Sequence, residues 1–308
     1  MSSGAAGLPA LTCTDWRGWS AHRISPLLRS ETDRWLRDFH WDQRWSFTQV
    51  EAARETGRLP GLVVAGADGL THGWTFFLRH GDQFQIGTIV SDSVAATGAL
   101  LEAAFASPLV CDASIVVFSP DAPGLAPALH SHGLRIEPYD YLVWQQTPPL
   151  APAAVECRAV QAADVPAIAA LTAEAYRSTT FLRPFVPAGL PDDWHDYIAQ
   201  LVETRGCGEL LSDASVAVDD VTAPGTLRAA LLATRLSHDT GHIAQLVVGS
   251  QARGGGLARR MLERCLIALH AQGLTRVSLL VARTNTPARN LYMSAGFQPA
   301  GTFVTAIR

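Results

Sequence analysis

Little of this chain is charged: Asp, Glu, Lys and Arg make up 17% of its 308 residues, and the formal net charge is -4. Without a basic excess, no face can offset the electrostatic cost of sitting on nucleic acid or on an anionic membrane, so neither is expected as a partner. Cysteine is scarce too. Cys13, Cys111, Cys157, Cys207 and Cys265 are scattered, odd in number and free of any C-x-x-C spacing. That excludes a disulfide framework and a zinc site as expectations, and the five thiols read as reduced and mostly buried, with no metal bound. No stretch approaches the ~18 continuous apolar residues of a membrane span, and the amino terminus lacks a basic segment followed by an apolar one. A cytoplasmic protein is expected.

What the chain does have is apolar material, 48% of its residues, enough for two cores at roughly 150 residues per domain. The segment Gln145-Gln-Thr-Pro-Pro-Leu-Ala-Pro152 carries three prolines in five residues and cannot continue a regular element. A boundary is therefore expected there, with domains 1–147 and 148–308. In the second domain, strand patterns at 155–159, 215–218, 227–236 and 242–248 surround helices at 165–176, which Asp164 is expected to cap, and 194–204. Then come a helix at 256–270, a strand at 277–281, a short helix at 287–294 and a strand at 303–307. A meander followed by strand, helix, strand, helix describes a mixed α/β sheet, an α+β arrangement.

The informative stretch is Leu246-Val-Val-Gly-Ser-Gln-Ala-Arg-Gly-Gly-Gly-Leu-Ala-Arg-Arg260, an apolar strand, a glycine-rich turn and a helix start. Glycines let consecutive backbone N–H groups point into one concavity, and the positive end of the helix dipole lies behind them, which makes a pyrophosphate cradle. The turn lacks the Lys-Ser/Thr of a nucleotide-triphosphate loop and the setting of a dinucleotide fold, so ATP and NAD are poorer candidates. A plain flexible connection is the other reading of three glycines taken alone.

Gln251-Ala-Arg-Gly-Gly-Gly256 resembles the Q/R-x-x-G-x-G/A signature of GNAT acetyltransferases. Downstream, Asn285-Thr-Pro-Ala-Arg-Asn-Leu-Tyr-Met-Ser-Ala-Gly-Phe297 resembles the N-x-x-A-x-x-L-Y-x-x-x-G-F segment of the same family. The resemblance implies acetyl-CoA as acyl donor and a GNAT fold. It implies a cofactor site made of Leu246, Val247 and Val248 on the strand, Gln251, Ala252, Arg253, Gly254, Gly255 and Gly256 in the turn, Leu257 and Ala258 at the helix start, and Asn285 and Arg289. Asn285 is expected beside the pantetheine arm where two strands splay, and Tyr292 is expected to act as general acid on the departing thiolate, with a backbone N–H of Val247 or Val248 polarising the carbonyl.

The strand before the turn, Gly241-His-Ile-Ala-Gln-Leu-Val-Val248, has no carboxylate. His242 stands where some relatives carry a Glu or His base and is the first candidate to take the amine proton, against a solvent-facing strand-end histidine; Glu174 and Tyr176 are secondary. The proline-rich loop at 177–191 reads as substrate-side.

The first half repeats the element order: strands 61–65, 73–78 and 83–90, helix 94–105, strand 114–118, helix 125–131, strand 139–144. Overlaying the halves sets Ser93 to Gly98 on Gln251 to Gly256 and Leu129 on Tyr292, so the first half is expected to be a non-catalytic GNAT-like domain. Two such domains resemble the tandem GNAT proteins, mycothiol synthases among them. The tryptophans crowded into this half read as core. The function expected is transfer of an acetyl group from acetyl-CoA to a primary amine of a small metabolite or peptide N-terminus; the alternative is a non-catalytic acyl-CoA-binding regulatory or scaffolding protein. Oligomeric state is not legible.

Overall fold

The structure, a computed structural model, describes residues 11–80, 83–110, 113–148, 155–204 and 207–308. Residues 1–10, Cys111 and positions 149–154 of the proline-rich segment lie outside the described residues.

In chain order the first half forms β1 (Thr12–Asp15), α1 (Ala21–Phe39), α2 (Arg44–Glu55), β2 (Gly61–Ala65), β3 (Thr71–His80), β4 (Gln83–Ser91), α3 (Val94–Phe105), β5 (Ser114–Pro120), α4 (Leu125–Ser131) and β6 (Arg135–Trp144). The second forms β7 (Arg158–Ala159), α5 (Val165–Tyr176), α6 (Pro191–Glu203), β8 (Glu209–Leu210), β9 (Val216–Asp219), β10 (Leu227–Arg235), β11 (Thr240–Val248), α7 (Leu257–Ala271), β12 (Arg276–Ala282), α8 (Thr286–Ser294) and β13 (Gln298–Ile307). Among the described residues no helix is long and apolar enough to cross a membrane.

Two compact units result, and they do not follow a single cut between 147 and 148. Of the described residues, one holds those from position 11 to Trp35, within Gln43–Pro138 and in Thr302–Arg308; the other holds Leu36–Asp42 and those within Tyr139–Gly301. Each half has exchanged its last strand. β13 pairs antiparallel with β5, from Phe303↔Pro120 to Ile307↔Val116, while β6 pairs antiparallel with β12, from Val277↔Trp144 to Ala282↔Tyr139. Alternating apolar residues qualify a segment as a strand but do not choose its partner edge, so the exchange left no mark in the sequence pattern.

In the first unit the order is β1-β2-β3-β4-β5-β13, antiparallel except for β4 and β5. α3 and α4 cover one face, burying Leu100, Leu101, Leu125 and Leu129 with Val304 and Ala306 of β13. α1, for which the sequence reading made no provision, buries Ile24, Leu28, Glu31 and Trp35 at helical spacing. Trp16, Trp35 and Trp74 are core residues, in keeping with the core reading, whereas Trp45 is 58% exposed.

The parallel pairing of β4 with β5 stops at Ile86↔Val117 although both strands continue. Inside that opening the Ser119 hydroxyl accepts from Ile89 N–H at 3.0 Å and donates to the Pro120 carbonyl. Ser93 caps α3 by accepting from Ala96 N–H. Gly98 consequently sits inside α3 and not in a turn. The overlay of 93–98 on 251–256 is corrected: the connection here is only Asp92-Ser93. The overlay of Leu129 on Tyr292 stands on the helix ends, where Leu134 N–H returns to Leu129 O and Phe297 N–H to Tyr292 O, each past a left-handed glycine.

The second unit has the order β7-β9-β10-β11-β12-β6, with β8 on β10. α7 and α8 pack Met261, Leu262, Leu266 and Tyr292 on one face; α5 and α6 pack Ile168, Trp194 and Ile198 on the other. Asp164 does not cap α5: its carboxylate takes Gln161 N–H and both arms of Arg158. β7 is also shorter than the expected strand at 155–159.

Candidate active site

Two local features open a slot in the second unit. β11 and β12 pair in parallel only from Thr240↔Arg276 to Ile243↔Leu279. Beyond that point β11 runs on to Val248 and β12 to Ala282 without facing each other, and a register shift against β10 leaves Ala244 as an extra residue where the separation begins. Alternate backbone groups along 244–248 therefore face a gap, not a partner strand.

At the end of β11 lies the turn. Gly249 N–H bonds to Arg228 O, a 3-10 turn spans Ser250–Ala252, and Gly254 and Gly256 adopt φ of 82° and 74°, which L side chains rarely take. Gly256 is the N-cap of α7 and offers no side-chain cap. The first backbone bond into α7 is Arg260 N–H to Gly256 O, so the amides of Leu257, Ala258 and Arg259 meet no acceptor among the described residues. A Cβ added at Gly254 or Gly255 meets nothing within 4 Å. Arg253 pins the turn from behind, donating to Val248 O at 3.0 Å and Ala175 O at 3.3 Å, and Ser250 Oγ donates to Glu174. The result is a concave set of free N–H donors at a helix N-terminus beside the strand gap, and it fits a pyrophosphate with its pantetheine arm.

α8 follows β12 and shares the core cluster of α7. Asn285 caps α8, accepting from Ala288 N–H. Arg289 is not a free cation: its Nε donates to Asp140 at 2.8 Å, and Asp140, 5% exposed on β6, also holds Arg283 at 2.9 Å. Tyr292, 7% exposed, packs its ring 5.7 Å from Phe297, and its hydroxyl has no hydrogen-bond partner among the described residues. Burial, with smaller contributions from Tyr176 and Cys265, raises its pKa well above the ordinary phenol value, so the hydroxyl stays protonated and able to donate.

His242 is placed elsewhere. It lies 3% exposed where β11 is still paired, with Nδ1 2.9 Å from Ser278 Oγ and its ring 5.6 Å from Trp41. Tyr141 continues this packing by donating to Phe39 O. Desolvation lowers the His242 pKa to about 3. The expectation of a strand-end base is corrected, because the imidazole is walled off from any incoming amine and neutral at working pH. Its titration shows in stability instead. An unfolded imidazole binds a proton below about pH 6.5, the native one only near 3, so stability is lost as pH falls through that window. We predict a loss of about 2 kcal/mol between pH 7 and 5 in urea melts, largely absent in His242→Gln; equal losses in both proteins would refute it.

On the α5 and α6 face of the gap, sequence reasoning named Tyr176 but missed its partners Gln245 and Tyr197. Gln245, 8% exposed, donates to Tyr176 Oη at 3.2 Å and lies 3.5 Å from Tyr197 Oη. Burial raises the pKa of both phenols, so Tyr176 is no base at neutral pH. Its signal was that all five tyrosines fall between 139 and 292. Among the four described thiols, Cys265 is fully buried and Cys13, Cys157 and Cys207 are half-buried, and all four are free. No cluster of metal-ligating side chains occurs among the described residues.

Residues 175–297 match the model of the acetyltransferase (GNAT) family. This segment, under half of the chain, is similar to GNAT acetyltransferase domains. A relative in sequence is a mycothiol acetyltransferase of Beutenbergia cavernae, 34% identical over 109 residues, which are 35% of this chain and 31% of the relative. Among solved structures, a GCN5-related N-acetyltransferase from Sphaerobacter thermophilus superposes with a TM-score of 0.59 at 18% identity, over 80% of each chain. A GCN5-related glucosamine N-acetyltransferase region in a fungal multi-domain β-N-acetylglucosaminidase superposes with 0.60 at 14% identity, over 99% of this chain and 39% of the other. At these identities the two structures share the fold of the GNAT domain and no more.

Proposed function

We propose that the GNAT-like domain moves an acetyl group from acetyl-CoA to a primary amine, on a small metabolite or a peptide N-terminus, and that the first unit is non-catalytic. The observation that carries this is the strand gap ending in an uncapped helix N-terminus, together with a buried Tyr292 whose hydroxyl is unspent among the described residues. The pyrophosphate sits on the amides from Gly254 to Ala258, and the thioester lies between β11 and β12. A β11 amide, that of Val247 or Val248, stabilises the oxyanion as the amine adds to the carbonyl carbon. Collapse breaks the C–S bond, the Tyr292 hydroxyl donates its proton to the departing thiolate, and the phenolate regains a proton from solvent before the next turnover. With His242 enclosed, the proton of the amine leaves to water. The first unit lacks these parts: Leu129 replaces the tyrosine, and Ser119 occupies the equivalent strand gap.

The test is release of free thiol from acetyl-CoA against a library of amines. The chain contains no lysine, its 24 basic side chains all being arginine, so lysine self-acetylation adds no background. Acceptor-dependent thiol release is the expected result. Saturable acetyl-CoA binding with no acceptor-dependent release would favour the acyl-CoA-binding alternative.

A further inference from the structure

The loop between α5 and α6 contains a cation that the transfer chemistry does not use. Arg183 donates through Nη1 to Tyr176 O and to Thr179 Oγ1, both at 3.1 Å, which fixes the plane of its guanidinium. The Cζ stands 6.0 Å from the Trp194 ring. Its Nε is buried without an acceptor, and Nη2 lies beside Gly189, where a Cβ would come within 3.2 Å. No carboxylate pairs with Arg183 among the described residues. The Nε and Nη2 edge is therefore unspent, and that edge of a guanidinium matches the two oxygens of a carboxylate. A donor left buried and unpaired costs free energy that an arriving acceptor recovers.

The position of this edge is informative. Tyr176, whose carbonyl holds Arg183, is hydrogen-bonded through its hydroxyl to Gln245 at the strand gap. Around the loop stand Phe181, edge-on to Tyr176 at 5.6 Å, and Phe185, stacked on Tyr197 at 5.7 Å and 51% exposed. We propose that Arg183 binds the carboxylate of the acceptor, so that the amine substrate is an α-amino acid with an apolar or aromatic side chain. The cation holds the acid group, the aromatic lip takes the side chain, and the amine points past Tyr176 toward the thioester. This rests on the transferase reading above. It also explains why the arginine is anchored by one nitrogen only: a structural cap on the end of α5 needs Nη1 but leaves the other edge idle.

The test compares L-phenylalanine with phenethylamine, which lacks only the carboxylate, in wild type, Arg183→Gln and Arg183→Lys. In Arg183→Gln the KM for L-phenylalanine should rise about 10- to 100-fold while that for phenethylamine stays within about twofold, as for a lost charge-assisted hydrogen-bond pair. Arg183→Lys keeps the charge without the fork and should fall between. Equal changes for the two amines, or none, would overturn the proposal. Calorimetry of L-phenylalanine into protein saturated with CoA separates it from the transfer reading. Heat that disappears in Arg183→Gln, without thiol release in wild type, upholds the carboxylate site and sinks the transfer; no heat in wild type sinks the site.

Discussion

Tyr292→Phe lowers turnover about 10²- to 10⁴-fold, the range of a lost general acid, and leaves acetyl-CoA affinity within about twofold. The asymmetry follows from where the two halves of the side chain lie. The ring belongs to the core under α8, against Phe297, and phenylalanine keeps that packing. The hydroxyl contributes no hydrogen bond to the fold among the described residues, and burial keeps its proton on. Removing it costs the folded state nothing in pairing, so the melting temperature should hold or rise slightly. A thiolate expelled without a donor leaves as a poorer leaving group, and the loss falls on kcat. Steady-state thiol release with a calorimetric Kd checks both parts. Were kcat to fall less than about threefold, Tyr292 would be a packing residue alone and the proton for the thiolate would come from solvent.

The parts of this site legible in the sequence were those fixed by local chemistry. Three glycines between a strand and an amphipathic helix dictated the turn, and the ends of α3, α4, α5, α7 and α8 fell at or within a residue or two of the periodic patterns because caps and left-handed glycines are local signals. His242 was misjudged for a related reason. A histidine at a strand end reads as solvent-facing only if nothing covers it, and Trp41, two hundred residues earlier in the chain, does. Gln245 and Arg183 went unnoticed because a lone Gln in a strand and an Arg in a loop have no motif; their meaning lies in an amide meeting Tyr176 and in a guanidinium edge that meets nothing. The exchanged strands β6 and β13 are the same limitation at larger scale. Arginine pairing adds to it: Arg289 resembled a ligand for the cofactor until Asp140, on β6, took its Nε.

Gly256→Val should weaken acetyl-CoA binding about 10²- to 10⁴-fold, equivalent to losing two or so hydrogen bonds to a charged group. Gly256 holds φ 74° and ψ 10°, and a β-branched residue there must pull away from the left-handed region. Relaxation rotates the peptide planes on either side, and those planes carry the amides that line the turn. The same substitution also costs stability, so loss of binding alone does not locate the site. Gly225 supplies the comparison: its φ of 82° is equally left-handed, nothing lies within 4 Å of an added Cβ, and it sits in the turn between β9 and β10. Gly225→Val should therefore lose a similar amount of stability, about 1–3 kcal/mol for such strain, and keep its acetyl-CoA affinity. The difference between the two variants isolates the part that belongs to the ligand. Titration calorimetry on both, each checked for a cooperative melt, reads it directly. Unchanged affinity in a folded Gly256→Val, or an equal loss in Gly225→Val, would remove this turn as the pyrophosphate seat and with it the placement of the thioester between β11 and β12.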